Sequence, residues 1–480
     1  MTFSLTLSSS DLLLLLPEIL LTCWLCVVLI VDFAFPRLPK ENLAYLSVAG
    51  LIGTLGCLAW FDFSGISGTL FANMFVVDRL ALFFKIFIVS ATILVILSSI
   101  EFVHRFTFFR GEYYFLVVMS ALGMMFMASA NDLLSVFITL EFSTFGFYVL
   151  VSYLREDVAS NEAGLKFFIL GVFAAGLLAY GISLVYGETG QLVFSDMKSL
   201  QITPGLIIGF LLIFGALGFK IGAVPFHSWI PDTYHGSPTP VTAFLSIAPK
   251  GAAFAILLRM FFVALGTFKP TWVLLMIGAS ILSMTYGNIV AIAQKNMKRL
   301  LAYSGIAQIG YMLVGVSAAS ASGTAMVLFY LVAYVFGNMG AFLVVEALAR
   351  AEGSEATSAF RGLAQRSPLL ALAMLLFLLS LGGIPFVAGF WAKLYVFWAA
   401  AERGLYWLVL LGAVLTVVAL FYYLLVAKRM YIEAPERPDR VPVAPTLALS
   451  VALCALGVVL LGLYPKAVVM AALRVAAQLF

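Results

Sequence analysis

Apolar residues run along this chain in stretches of about 20, separated by short polar or proline-containing breaks. An α-helix needs about that many residues to cross the hydrocarbon core of a bilayer. The pattern predicts an all-α polytopic membrane protein that forms a single membrane domain over residues 1–480. Fourteen spans are predicted near 12–32, 43–61, 76–99, 114–130, 133–153, 164–186, 205–224, 240–263, 270–293, 300–318, 324–348, 367–400, 404–430 and 444–463.

The composition agrees with a chain embedded in lipid. Hydrophobic residues make up 63% of it and charged residues 10%, whereas soluble domains carry roughly 25% charged residues. A soluble catalytic domain is therefore excluded. The net charge of +4 is small and the excess cations lie in loops, so nothing indicates a nucleic-acid partner.

The first apolar run, residues 12–31, has no basic segment before it and no small-residue cleavage site after it. We therefore expect a retained helix rather than a signal peptide. Cys23 and Cys26 lie in this run without a His or acidic residue beside them, so they are interpreted as small packing residues rather than as a metal or redox site.

Basic residues concentrate in alternate loops, the pattern that orients membrane proteins. With the N-terminus outside, the inside loops hold Arg37, Lys40, Arg105, Arg110, Arg155, Lys166, Lys295, Lys298, Arg299, Arg350, Arg361, Arg366, Lys428, Arg429, Arg437 and Arg440. The outside segments hold only Lys198, Lys269, Arg403, Lys466 and Arg474. The alternation favours an even number of spans with both termini outside.

A proline-broken motif occurs twice. AVPFHSW at 223–229 is followed by GIPFVAGFW at 383–391. The blocks 114–263 and 270–430 that contain them hold five predicted helices each, so the second block enters the membrane from the opposite side. Two inverted five-helix repeats, each with a broken helix, are typical of transporters whose substrate path passes the breaks.

Six basic residues lie within predicted spans, where an ionisable group costs roughly 2.5 to 3.5 kcal/mol on insertion scales. They are Arg79, Lys85, Lys220, Lys250, Arg259 and Lys393. Arg79 and Arg259 are near span ends, so their long stems can carry the charge to head groups or water. Lys220, Lys250 and Lys393 lie too far from the span ends to reach the head groups, so each needs a counter-charge, a hydrogen-bonding partner or water.

Glu141 in VFITLEFSTFGFYVL is the one carboxylate that the pattern places deep in a span, and it is the natural counter-charge for Lys220. Burial disfavours the charged form of both groups and pairing favours it, so moving the partner can switch either group between holding and releasing a proton. A static ion pair explains one such pair equally well. Three deep lysines favour a proton relay through Glu141, Lys220, Lys250 and Lys393.

Other charged residues have local explanations. Asp78 and Lys85 are seven residues apart on one helix face, which favours a structural pair between them. Glu18 in the first span either neutralises a buried cation or lies near the outer interface. Asp132 directly precedes a span and is expected to cap its N-terminus.

His227 and His235 lie in the segment PFHSWIPDTYHGSPTP, whose prolines exclude a regular helix across it. Irregular backbone at membrane depth needs protein or a water-filled cavity around it. Imidazole titrates near neutral pH, so these histidines can pass protons between the cytoplasm and Lys220 or Lys250. Metal binding is the rival interpretation, but Asp232 is the only further ligand nearby, and no metal site is predicted.

The segments GFKIGAVPFHSWIPDTYHGSPTPVTAFLSIAPKGAAFAILLR at 218–259 and NMKRLLAYSGIAQIGYMLVG at 296–315 resemble the antiporter-like membrane subunits of respiratory complex I and of multisubunit cation/proton antiporters. The resemblance covers essentially the whole chain. GSPTPVTAFLSIAPK and the chain length are similar to the bacterial NADH-quinone oxidoreductase branch of that family, which implies a bacterial inner membrane and periplasmic termini.

The resemblance implies roles for individual residues. Glu141 is the helix-five carboxylate that modulates Lys220 on broken helix seven, Lys250 is the central relay, and Lys393 belongs to the second half-channel. Many relatives have histidine where this chain has Gln308, and a glutamine cannot carry a proton charge.

Two tyrosines near Gln308, Tyr303 and Tyr311, can order water beside the relay. The resemblance implies no cofactor in this chain, with NADH, FMN, iron–sulfur clusters and quinone handled by partner subunits of the complex. A sodium/proton antiporter subunit is the alternative function that uses the same charges, and a structural scaffold is a third.

Overall fold

The computed structural model describes residues 9–104, 110–197, 201 and 203–480. Its helices are α1 (Ser9–Leu14), α2 (Leu16–Ala34), α3 (Glu41–Ser64), α4 (Arg79–His104), α5 (Arg110–Ser129), α6 (Leu133–Val151), α7 (Val158–Thr189), α8 (Pro204–Ile221), α9 (Trp229–Gly236), α10 (Thr239–Leu245), α11 (Ala248–Arg259), α12 (Lys269–Ile292), α13 (Met297–Ser317), α14 (Ala321–Tyr334), α15 (Gly340–Glu352), α16 (Leu363–Arg366), α17 (Pro368–Gly382), α18 (Ala388–Ala401), α19 (Tyr406–Tyr431), α20 (Pro445–Leu463) and α21 (Lys466–Ala476). Strands β1 (Gly68–Leu70) and β2 (Phe75–Val77) form an antiparallel hairpin.

The prediction of fourteen spans is confirmed. Thirteen helical segments among the described residues are long and apolar enough to cross a membrane. The eighth combines α10, α11 and a π-helical turn, and the eleventh joins α14 to α15 through a second π-helical turn. The fourteenth span is the broken pair α17 and α18. The hairpin and the short α21, which packs on α4 and α14, were not predicted.

Loops assigned to the same side of the membrane contact one another. On the side of the basic loops, Lys166 and Arg299 both bind Asp232, at 2.9 and 2.7 Å, and the Gly362 amide donates to the carbonyl of Arg429. We call this side the basic face. Of the basic residues assigned to loops, Arg105 and Lys198 lie outside the described residues.

The opposite side carries the β1–β2 hairpin, and we call it the hairpin face. The Asn131 amide donates to the carbonyl of Met74 there. Lys269 and Arg403 both donate to the carbonyl of Ala319, at 2.8 and 3.3 Å. Two mutually contacting sets of loops are what the alternation of basic residues requires.

Both predicted breaks are present and are built alike. α8 ends at Gly222 and α17 ends at Gly383, each with a positive φ near 80° that glycine adopts without steric cost. The segment after the first break is not irregular throughout, because α9 forms within it. Pro231 is tolerated there since it lies in the first turn of that helix, where no backbone amide partner is lost.

Helix α13 is the centre of the molecule and is buried along nearly its whole length. It approaches α12 closely at Gly310 and Gly287, where an added Cβ would lie 2.6 Å from a backbone nitrogen of the facing helix. Small residues allow such contact between helices in lipid. This contact leaves the polar side chains of α13 facing the broken helices.

Candidate functional site

The three lysines predicted to be deep are buried. Lys220 at the end of α8 is 8% exposed, Lys250 in α11 is 1% exposed and Lys393 in α18 is 4% exposed. They lie on three different spans, and each has a different set of neighbours.

Lys220 does not form the expected ion pair with Glu141 among the described residues. Its ammonium donates at 2.7 Å to the hydroxyl of Thr144, one helical turn from Glu141 on α6. That hydroxyl donates in turn to the carbonyl of Leu140. Glu141 still acts on Lys220 through its charge, so the two groups interact across Thr144 rather than by contact.

A small cavity lies beside Lys220 and extends to Pro249, the residue before Lys250. It has a volume of about 20 Å³ and is lined by Lys220, Thr144, Trp229 and Pro249. A water molecule needs about 10–15 Å³ of such space and several polar partners. The cavity is therefore large enough for one water molecule beside Lys220 and Thr144.

Lys250 lies among aromatic rings and makes no hydrogen bond to the described residues. Its ammonium is 5.7 Å from the ring centre of Tyr234 and 6.0 Å from that of Tyr334. Both tyrosine hydroxyls are also buried without a protein partner. A Cβ added at Gly305 would lie 3.3 Å from this ammonium, so α13 passes directly beside Lys250.

Lys393 in α18 binds the end of α17, the helix that forms the first half of the same broken span. Its ammonium donates to the carbonyl of Leu381 at 2.9 Å and to that of Gly382 at 3.3 Å, both at the end of α17. It also lies 4.5 Å from the ring centre of Tyr311. The end of a helix presents carbonyls without partners in the helix, which is why it can hold a buried cation.

Gln308 is the centre of a buried hydrogen-bond network between α13 and the helices around it. Its amide nitrogen donates at 2.9 Å to the carbonyl of Leu381, the same oxygen that binds Lys393. Its amide oxygen accepts from Tyr330 at 2.5 Å. Tyr423 contacts Gln308 at 3.4 Å and forms a short hydrogen bond with Ser304, the neighbour of Gly305.

The predicted Asp78–Lys85 pair is wrong. Lys85 binds Glu18 on α2 at 2.6 Å, and both side chains are almost fully buried. Asp78 binds Arg259 at 2.6 Å on the hairpin face, so Arg259, which was expected to reach head groups, is buried against protein. Burial by itself would raise the pKa of Asp78, but Arg259 outweighs it and the pKa lies below its ordinary value.

Other predictions about acidic residues have mixed outcomes. Asp132 caps α6 as expected, accepting hydrogen bonds from the amides of Leu134 and Ser135. Glu141 is not the only deep carboxylate, because Glu18 is 1% exposed and Glu346 in α15 is 8% exposed. Glu18 neutralises the buried Lys85, which is one of the two alternatives expected for it, whereas Glu346 was not predicted.

The two histidines lie apart. His235 lines two cavities on the basic face, of about 590 and 330 Å³. Partial burial of the ring and then the charge of Lys298 lower the pKa of His235, which favours its neutral form. His227 instead packs on the ring of Tyr286, which lies 6.2 Å from that of Tyr303.

Sequence reasoning missed several polar groups in and around the site: Thr144, Tyr234, Tyr330, Tyr334, Asn338, Glu346 and Tyr423. All but Tyr234 lie in apolar spans, where the spacing of a polar side chain does not indicate which neighbouring helix it contacts. Among the described residues, no cluster of three or more His, Cys, Asp or Glu could hold a metal ion.

Comparison with known proteins gives consistent results. Residues 130–419 match the family described as NADH:quinone oxidoreductase/Mrp antiporter, TM. The chain is 42% identical to NADH-quinone oxidoreductase subunit N of Moorella thermoacetica, over 90% of this chain and 91% of that protein. A chain of respiratory complex I from Thermus thermophilus is 32% identical with a TM-score of 0.81, covering 95% of this chain and 98% of that one. The fold is also that of a chain in the Mrp complex from Dietzia, at 20% identity and a TM-score of 0.89, covering 98% and 97%.

Proposed function

Because the chain belongs to the family of membrane subunits that NADH:quinone oxidoreductases share with Mrp antiporters, we propose that its buried lysines carry protons across the membrane. The chain is a proton-translocating membrane subunit of NADH-quinone oxidoreductase, and its relatives are named subunit N. It assembles with other subunits of that complex.

The observation that carries the proposed path is the placement of three buried lysines along one polar line. Lys220 lines a small cavity that extends to Pro249, the residue before Lys250. From Lys250 the line continues past Gly305 to the Ser304–Tyr423 pair and to Gln308. Gln308 and Lys393 share one carbonyl acceptor.

Each lysine has a different task in this path. Lys220 holds its proton through Thr144 and the charge of Glu141, and it releases the proton when that support weakens. Lys250 has no hydrogen-bonding acceptor, so it gives up a proton most readily. Lys393 is stabilised as a cation by the carbonyls of α17. Gln308 orients neighbouring hydroxyls and carries no charge itself.

The redox chemistry belongs to the rest of the complex in this proposal. This chain supplies the translocase part of an NADH:quinone oxidoreductase and no redox group, while NADH, FMN, iron–sulfur clusters and quinone act in partner subunits. We place the chain in a bacterial inner membrane with the basic face in the cytoplasm and both termini in the periplasm, which follows from its basic loops.

We also propose that residues 114–263 and 270–430 are inverted repeats. The two breaks support this, since each follows a glycine with positive φ. Lys220 lies just before the first break and Lys393 lies after the second. The lysine would therefore precede the break in the first repeat and follow the break in the second repeat.

The test of the proposed function is Lys220→Ala in inverted membrane vesicles, with NADH-driven quinone reduction, NADH-driven proton uptake and sodium-driven proton exchange measured side by side. We expect proton uptake to be largely lost, since a positioned proton-transfer group is removed, with slower quinone reduction in an assembled complex.

Other results would redirect the assignment. Loss of sodium-driven exchange alone would identify a sodium/proton antiporter subunit. Survival of all three activities would contradict the role of Lys220. Failure of the complex to assemble would make the lysine structural.

A narrower prediction concerns the acceptor of Lys220. Thr144→Val keeps the shape of the side chain and removes a hydrogen bond to a charged group, worth roughly 1.5–3 kcal/mol. We expect NADH-driven proton uptake to fall about tenfold, and Thr144→Ser to retain it. Thr139→Val is the matched control, because that hydroxyl on the same helix bonds only to backbone. Equal rates in the two valine variants would contradict the prediction.

A further inference from the structure

Glu346 is a buried carboxylate that the path above does not use. It lies in α15 within the eleventh span and is 8% exposed. It lines the 330 Å³ cavity on the basic face together with His235, Lys298 and Asp157. Asp157 and His235 are exposed, so this cavity connects a buried carboxylate with the aqueous surface. Its volume accommodates roughly ten water molecules at about 30 Å³ each.

The helix face that carries Glu346 leads to Lys250. Phe342 and Asn338 lie four and eight residues before Glu346, which places them on about the same face. The ring of Phe342 is 6.0 Å from that of Tyr234, beside Lys250. Asn338 donates at 2.8 Å to the hydroxyl of Ser246, which lies between α10 and α11, four residues before Lys250.

The distance along this face suits a short file of water. Asn338 lies in the π-helical turn that precedes α15, so the eight residues to Glu346 rise at most about 12 Å. The side-chain oxygen of Asn338 is buried without a protein partner among the described residues. Phe342 is the apolar residue between the two polar ones. A proton moving along this face passes from cavity to carboxylate, past an aromatic ring, and then to the surroundings of Lys250.

The charged groups around Glu346 come from several elements. Arg350 is one turn away on α15 and also binds Glu101 of α4. The cavity brings Lys298 of α13, Glu355, His235 and Asp157. Tyr113 of α5 interacts electrostatically with Glu346 and exchanges a hydrogen bond with Ser99. Helices α10, α17 and α20, which also pack against α15, contain no charged residue.

We propose that Glu346 is the proton-uptake residue of this chain, taking protons from the water-accessible cavity at the basic face and delivering them along α15 toward Lys250. In the step, a carboxylate oxygen accepts a proton from hydrated protons in the cavity and later releases the same proton toward water beside Asn338. This inference rests on the proposed proton translocation, and it assigns the residue through which protons enter.

The test compares Glu346→Gln, Glu346→Asp and wild type in inverted vesicles, with NADH-driven proton uptake measured from pH 6 to pH 9. Glutamine keeps the size and removes the proton site. We expect its uptake to fall about tenfold relative to wild type at the alkaline end and much less at the acid end, because supply limits the rate when protons are scarce. Aspartate should retain most of the uptake.

Two controls keep the result interpretable. Glu436→Gln removes a carboxylate from the basic side that pairs with Arg361 and does not line the cavity, and its profile should match wild type. Lys250→Ala is measured in parallel to test the proposed translocation itself.

Three results would overturn the inference. If Glu346→Gln matched wild type at every pH while Lys250→Ala were defective, Glu346 would not be the uptake residue, and the proposed relay through Lys250 would stand. A loss of the same size at every pH that aspartate does not rescue would make Glu346 structural. Normal proton uptake in Lys250→Ala would contradict the relay through Lys250, and the uptake role of Glu346 that depends on it.

Discussion

The Lys250→Ala variant is expected to lose NADH-driven proton uptake by roughly 100-fold, the lower end of what a positioned proton-transfer group contributes. Lys250 lies between the Lys220 side and the Lys393 side of the buried polar line. Its neighbours are the rings of Tyr234 and Tyr334 and the backbone of α13 at Gly305. None of these groups can carry a positive charge in its place.

Lys250→Arg separates proton transfer from charge. Arginine keeps the positive charge but does not release a proton in a protein. Lys250→Arg should therefore lose proton uptake, as Lys250→Ala does. If Lys250 only fixed helix packing by its positive charge, arginine could replace it and much of the proton uptake would be retained. The measurement is initial proton uptake in inverted vesicles at equal amounts of assembled complex.

Lys428→Ala is the matched control for this position. Lys428 is an exposed lysine near the end of α19, so its removal changes the net charge equally and leaves the buried line intact. Uptake in Lys428→Ala should equal wild type. Substantial uptake in Lys250→Arg would contradict the relay role of Lys250.

The second large effect is expected from Glu18→Leu, which should destabilise the chain by about 3–5 kcal/mol. Lys85 and Glu18 form an ion pair at 2.6 Å with 0% and 1% of their side chains exposed. Among the described residues, the Phe75 ring lies 4.9 Å from the ammonium, and Asp78, which is bound to Arg259, acts on it only through its charge. Removing the carboxylate of Glu18 therefore leaves a buried ammonium without a counter-charge in contact.

The double variant Glu18→Leu, Lys85→Met should recover that stability. Replacing a buried ion pair with apolar side chains of similar volume is often neutral or stabilising by about 1–4 kcal/mol. The measurement is the temperature at which this chain dissociates from the detergent-purified complex. A double variant as unstable as Glu18→Leu would contradict a simple pair.

A partly exposed pair provides the control. Lys40 and Asp32 form an ion pair near the basic face, and such pairs contribute about 0–1 kcal/mol. Asp32→Asn should therefore leave the dissociation temperature almost unchanged. Comparable losses in Asp32→Asn and Glu18→Leu would show that burial does not decide the effect.

Some site residues followed from the sequence because a charge in an apolar run has few explanations. Lys220, Lys250 and Lys393 were singled out by the cost of burying an ammonium group, and all three are buried. The breaks followed from proline chemistry, and both occur after glycines.

The partners of these residues did not follow from the sequence. Spacing along one helix favoured Asp78 for Lys85, but the ion pair crosses to Glu18 on α2. Glu141 was expected to touch Lys220, but Thr144 is the residue in contact. Residue spacing indicates which side chains share a face of one helix, but it does not indicate contacts between helices that are far apart in sequence.

The sequence by itself determined the class of fold, the number of spans and the buried cations, since hydrophobicity and the cost of charge in lipid act on each segment separately. The tertiary structure decided which helices are neighbours, and with that the pairing of Lys85, the network around Gln308 and the cavity that reaches Glu346. The reason is physical: most faces of these helices are apolar, so hydropathy does not distinguish a face in contact with lipid from a face in contact with protein.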